Sequence, residues 1–221
     1  MTFSGFPAGA VNFYQRLEAD NTRAFWQKNK DEYDELVRRP MLALLEELEP
    51  EFGPGHVFRP QRDIRFSADK SPYKTYQGGF VAREDGIGYY TQISADGLLA
   101  AGGFHSHAPD QVERYRTAVD DDVDGPRLQA VVDGLRVAGL EVGGDRLKTR
   151  PRGYPADHPR LELLRHRSLT AERMWPPEPW LATPEALDRV REVWRALVPL
   201  CDWVATQVGP SRMPRSRPGR S

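Results

Sequence analysis

Between residues 22 and 50, large apolar side chains recur at spacings of one and two helical turns. Phe25, Trp26, Tyr33, Leu36 and Val37 fall on one side, and Arg23, Lys28, Asp31 and Glu35 on the other, the 3.6-residue period of an amphipathic helix. Thr22 stands where an N-cap is needed, and a shorter helix over 11–19 is predicted before it. Pro40 suits the first turn of a third helix, whose stripe is Met41, Leu44, Leu45 and Leu48 and which Pro50 or Gly53 ends. These aromatics read as core.

From residue 57 the pattern changes to short extended runs. Residues 57–67, 76–83, 88–94 and 97–104 are predicted strands, with Glu84-Asp85-Gly86 and Ala95-Asp96-Gly97 as turns between the later ones. Helices follow over 109–119, with Val112, Tyr115 and Arg116, and over 126–135, with Leu128, Val131, Val132 and Leu135. One further strand over 137–142 ends in Gly143-Gly144, and residues 148–166 mix an irregular proline and glycine run with a short helix. The last helix, 184–208, buries Leu187, Val190, Val193 or Trp194, Leu197 and Leu200, and Pro199 is expected to kink or split it. Strands in one block with helices before and after it predict an α+β fold. Its antiparallel sheet has about four to five strands, flanked by an N-terminal helical segment and C-terminal helices. Residues 1–208 are expected as one domain and 209–221 as a flexible basic tail.

Composition narrows the class. The 221 residues are 39% hydrophobic with mean hydropathy -0.64, which suits a polar globular chain. No run approaches 18 apolar residues, and residues 1–10 lack a basic and apolar leader pattern, so the expected location is cytoplasmic and no membrane is expected as a partner. A single cysteine, Cys201, precludes an internal disulfide framework; its neighbours Leu200 and Trp203 make it a packing residue. The formal charge of -1 conceals a division, because Arg212, Arg215, Arg217 and Arg220 in the tail leave residues 1–208 at -5. A folded part of that sign is unlike a dedicated DNA-binding domain. The tail leaves nucleic acid as a minor possible partner.

The densest polar run is residues 59–74, which hold Arg59, Arg62, Arg65, Lys70 and Lys74 against Asp63 and Asp69. On a strand, Arg62, Ile64 and Phe66 would share one face and Asp63, Arg65 and Ser67 the other. Asp63 can pair with Arg65 and Asp69 with a neighbouring cation, leaving Arg62, Lys70 and Lys74 for an anion. Pro72 forces Ser71 extended, which makes 67–74 a rigid turn. The structural alternative is a salt-bridged strand edge.

The run Arg62-Asp63-Ile64-Arg65-Phe66-Ser67-Ala68-Asp69-Lys70-Ser71-Pro72-Tyr73-Lys74 resembles the signature R-D-x-R-F-S-x-D-K-S-P-Y-K of a widespread family of uncharacterised bacterial and fungal proteins, a domain of unknown function. Further blocks similar to that family are residues 21–33, Arg39-Pro40-Met41, Gly88-Tyr89-Tyr90 through Gly102-Gly103, Arg116, residues 147–154 and Asp157-His158-Pro159. The resemblance covers about residues 3–204. It implies no reaction, substrate or cofactor. Ala95 departs from it, where a proline is usual, as do His105 and His107.

A second basic cluster, Arg146, Lys148, Arg150 and Arg152, precedes Asp157 and His158. Folded against the first, it would make a cationic cleft. His158 can act as acid or base beside Asp157, or cap the helix beginning near Arg160. His105 and His107 alternate onto one strand face, but two ligands do not make a metal site. No phosphate-binding loop, dinucleotide fingerprint, nucleophile elbow or zinc signature is present. The leading expectation is a cleft that binds a phosphorylated small molecule or a nucleic acid end through Arg62, Arg65, Lys70, Lys74, Arg116, Lys148, Arg150 and Arg152. The alternatives are a phosphoester-acting enzyme, with Asp63 or Asp69 and His158 as acid and base, and an interaction module in which the motif is a salt-bridge lattice. The cofactor and the oligomeric state are unknown at this level.

Overall fold

Among the described residues, six strands form one antiparallel sheet: β1 (Gly55–Val57), β2 (Tyr76–Glu84), β3 (Ile87–Ser94), β4 (Gly97–Phe104), β5 (Glu141–Gly143) and β6 (Leu169–Trp175). Their order across the sheet is β1-β2-β3-β4-β6-β5. This computed structural model describes residues 2–63, 65, 69–105 and 108–213. The β2-β3-β4 meander is the expected one, with β2 and β3 turning at Asp85-Gly86 and β3 and β4 at Ala95-Asp96.

Two strand expectations are corrected. Among the described residues the run 57–67 is not a strand beyond Val57, because Pro60 has no N–H for a ladder and the chain leaves the sheet there. Strand β6 was not foreseen, although it is inserted between β4 and β5. Its sequence, LTAERMW, carries Glu172, Arg173 and Met174, which weaken the apolar alternation a strand usually shows. The strand expected over 137–142 shrinks to β5, because the preceding helix continues to Val137.

On the N-terminal side lie α1 (Ala8–Ala19), α2 (Arg23–Tyr33) and α3 (Arg39–Phe52). Thr22 caps α2, its hydroxyl accepting the N–H of Phe25 at 3.1 Å. Pro40 stands in the first turn of α3, as expected, and a π-helical turn, Asp34–Arg38, joins α2 to α3 without a break. Helix α3 passes through Pro50 and stops at Gly53, whose φ of +95° only glycine adopts at low cost. After the meander come α4 (Pro109–Asp120), α5 (Asp124–Val137), the short α6 (Leu161–Leu164) and α7 (Glu185–Gln207). Helix α7 is continuous through Pro199 and is not split.

The helices α3 and α7 lie on one face of the sheet. A side chain at Gly79 would strike Leu45 and Met41 of α3, and the Tyr89 ring packs on Trp194 of α7 at 5.4 Å. Buried residues from Phe3 to Val208 join in one core. No described helix is long and apolar enough to cross a membrane. The start of the expected tail is held in place: Asp110 accepts from the Ser211 hydroxyl and the Arg212 N–H, both at 2.8 Å, and Gln111 donates to the Gly209 carbonyl at 2.9 Å. These bonds keep the Asp110 carboxyl well below the usual carboxylate range, the Arg212 N–H contributing most. Arg215, Arg217 and Arg220 lie outside the described residues.

Candidate functional site

The motif run forms a loop between β1 and β2 with a closed neck. Gln61 bridges Tyr73 in antiparallel fashion. The Arg62 N–H donates to the Pro72 carbonyl at 2.9 Å and the Lys74 N–H to that of Pro60 at 2.8 Å. The helical block 21–33 grips this neck. Asn21 treats Tyr73 as a strand neighbour would, donating from Nδ2 to its carbonyl at 2.9 Å and accepting its N–H at 3.2 Å. Trp26 stacks on the Tyr73 ring at 4.2 Å and 10°. Deeper in, the Tyr33 hydroxyl bonds Gln77, whose amide donates to the carbonyls of Phe58 and Gly78, each at 2.8 Å. The expectation that these aromatics are core holds for Trp26 and Tyr33. Their role is to fix where the loop leaves the sheet.

Within the loop, Asp63 takes Arg65 through Nε at 3.0 Å and Nη2 at 2.7 Å, the pairing expected from the sequence. This guanidinium pulls the Asp63 carboxyl down to about 2. Asp69 pairs with Arg62 and also accepts the Ser71 hydroxyl at 2.6 Å and N–H at 2.8 Å, which depress its pKa. Arg62 is therefore not surplus. Lys70 is exposed on the same loop.

Lys74 returns from the loop onto an aromatic surface, its ammonium 5.1 Å from the Phe58 ring centre and 6.0 Å from that of Tyr76. Partial burial lowers its pKa, and so do the nearby charges of Arg59 and Arg62. Among the described residues neither Arg59 nor Lys74 forms an ion pair. Arg59 was not singled out from the sequence, although it opens the run. Nor was the ring set beneath Lys74, for which the alternation of His56 and Phe58 was a readable signal. Ile64, Phe66, Ser67 and Ala68 lie outside the described residues.

The second basic cluster is spent differently. Arg165 donates to the carbonyls of Leu147 at 2.9 Å and Lys148 at 2.7 Å, and Arg150 to that of Tyr154 at 2.6 Å. Arg146 reaches Glu162 at 3.9 Å. Lys148 and Arg152 are exposed. Arg116 donates to the Leu164 carbonyl at 3.2 Å, tying α4 to α6. His158 is not beside Asp157: its Nε2 meets Asp120 at 3.0 Å and its Nδ1 accepts the Arg160 N–H at 3.0 Å. The bond to the Arg160 N–H falls just ahead of α6, whose N-cap residue is Arg160 and which has no side-chain cap, so the capping alternative offered by the sequence is not met either.

The two clusters are not brought together. One leaves the sheet at β1, the other follows β5 on the opposite edge, five inter-strand steps of about 4.8 Å away. Asp63 and Asp69 likewise lie on the loop, while His158 is bound to α4. His105 remains on the sheet face against Phe80 at 5.1 Å, while His107 lies outside the described residues. Among the described residues no three His, Cys, Asp or Glu side chains group as metal ligands. Cys201 is buried, and burial raises its thiol pKa to about 11, as suits a packing residue.

With the motif loop pinned as a unit, its sequence can be set against known families. A family model described as "Conserved hypothetical protein (DUF2461)" matches residues 9–203. The chain belongs to the DUF2461 family. The matched span runs from α1 to the last turns of α7, so it takes in both the loop and the helical block that grips it. No curated protein and no solved structure matches the chain.

Proposed function

We propose that this DUF2461 protein binds a phosphate-bearing small molecule at the β1–β2 loop, with Arg59, Arg62 and Lys74 facing the anion and Lys70 and Arg65 around it. The observation that carries this reading is the meeting of Lys74 with two guanidinium groups on a half-buried aromatic surface. Like charges so placed repel one another, and an anion relieves that cost. The rigid neck supports the same reading, since cations held in place before binding lose less entropy on binding. Asp63 and Asp69 then serve as struts that hold Arg65 and Arg62.

A second reading, a purely structural lattice, is favoured by those same two ion pairs. Thermal unfolding of the full chain with and without inorganic pyrophosphate separates the two. On the proposal, pyrophosphate at a hundredfold excess over its Kd raises the melting point by roughly 5–10 °C, and at the same concentration Lys74→Ala or Arg59→Ala cuts the rise by about half while leaving the unliganded protein folded. Absence of binding, or binding that both variants retain unchanged, overturns it.

A further inference from the structure

On the face of the sheet turned away from α3 and α7, the register aligns one row across all six strands: His56, Phe80, Tyr90, Ala101, Glu172 and Glu141. The aromatic half of that row lies beside the cations of the loop. Its rings do not stand up from the sheet; they lie down across glycines. A Cβ at Gly88 would come within 2.7 Å of Phe80 Cζ, and one at Gly78 within 2.5 Å of the Tyr90 hydroxyl. Since Phe80 faces Tyr90 directly, and Gly78 and Gly88 are the diagonal neighbours, each ring leans onto the glycine of the other strand. The Phe58 ring is parallel to that of Phe80 within 15°, at 6.4 Å, while His56 and His105 sit at steep angles of 70° and 74° to it. Phe58, Phe80 and Tyr90 are only half-buried, although together they form a broad aromatic surface with no described helix on it.

A flat aromatic floor next to fixed cations is complementary to a ligand that has a planar ring at one end and a phosphate at the other. We infer that the Phe58–Phe80–Tyr90 floor stacks the base of a nucleotide whose phosphate is held by Arg59, Arg62 and Lys74. This rests on the anion site proposed above and names its ligand class. The same chemistry is offered by a free mononucleotide and by the end of a single strand, and the length of the ligand distinguishes them. The acidic end of the row, Glu172 and Glu141, repels phosphate and confines it to the β1 side.

The test is calorimetric titration of the full chain with inorganic phosphate, ribose 5-phosphate, AMP and a four-residue oligothymidylate. AMP is expected to bind at least fivefold more tightly than ribose 5-phosphate, the smallest gain that one stacked base brings. Phe80→Leu keeps apolar cover over Gly88 but removes the ring; it should erase that gain while phosphate binding persists, which also certifies that the variant is folded. A free-nucleotide site binds AMP at least as well as the oligomer, whereas a strand-end site favours the oligomer. Equal affinity for AMP and ribose 5-phosphate overturns the base platform and leaves the anion site standing. Failure of all four ligands overturns both. A concentration-dependent dimer in sedimentation that Phe80→Leu dissociates would mean that a second copy covers the floor, and would overturn the inference.

Discussion

The loop after β1 (58–75) and the loop after β5 (144–160) are both long, proline-containing and rich in arginine and lysine, yet they do different work. After β5, backbone carbonyls supply the partners: those of Leu147, Lys148 and Tyr154 take up Arg165 and Arg150, and those of Val119, Asp120 and Asp121 take up Arg160. These cations are structural donors. After β1, the acids hold Arg62 and Arg65, and Lys74 is brought against Arg59 and Arg62 over aromatic rings. Composition alone does not separate a capping arginine from a ligand-binding one; what separates them is whether an uncapped carbonyl or an uncovered surface lies within reach.

The largest way to break this contrast is to remove the grip on the first loop. Trp26→Ala deletes the partner of Tyr73 and leaves a cavity, and should lower stability in urea unfolding by about 3 kcal/mol; a loss below 1 kcal/mol would mean that the neck holds without it. Next, Arg165→Ala should cost about 1–2 kcal/mol in the same assay, because two carbonyls and Glu162 lose a charged donor. Comparable in energy but different in kind, Lys74→Ala should weaken pyrophosphate binding about tenfold, with little change in melting point, whereas Arg150→Ala should leave that affinity intact. If the two variants behaved alike, the division of labour between the loops would fail.

The smallest effect sharpens the far edge of the sheet. Burial raises the pKa of Glu172, and the facing Glu141 raises it further. A carboxyl whose folded value lies above its unfolded one favours the fold most below the unfolded value and loses that contribution as pH rises through the folded one. Glu141→Gln should therefore stabilise the protein at pH 7 by a few tenths of a kcal/mol, and the gain should vanish near pH 4. Melting curves at the two pH values read it directly, and an equal gain at both would exclude charge repulsion as its source.

Local signals were enough for several of these features. Thr22, the apolar period of 23–48 and the Gly-containing turns reported α2, α3 and the β2-β3-β4 meander, because caps, period and turn chemistry act within a few residues. The spacing of two residues between Asp63 and Arg65 likewise sufficed for their ion pair. Other features are non-local. Strand β6 carries a charged, weakly alternating sequence and is a strand because β4 and β5 flank it. His158 found Asp120, thirty-eight residues away, instead of the adjacent Asp157. The meeting of Arg59 with Lys74 depends on a neck closed by Asn21, fifty-two residues from Tyr73.

By itself, then, the sequence determined the class of fold, its helices and central hairpins, and the surplus of positive charge in the motif, all of which follow from short-range sterics and counting. Only the tertiary structure decided which cations are consumed by carbonyls and which are left facing one another over aromatic rings. That choice depends on strand order and register, which put the two basic loops on opposite edges of one sheet and laid Phe80 and Tyr90 across the glycines beside only one of them.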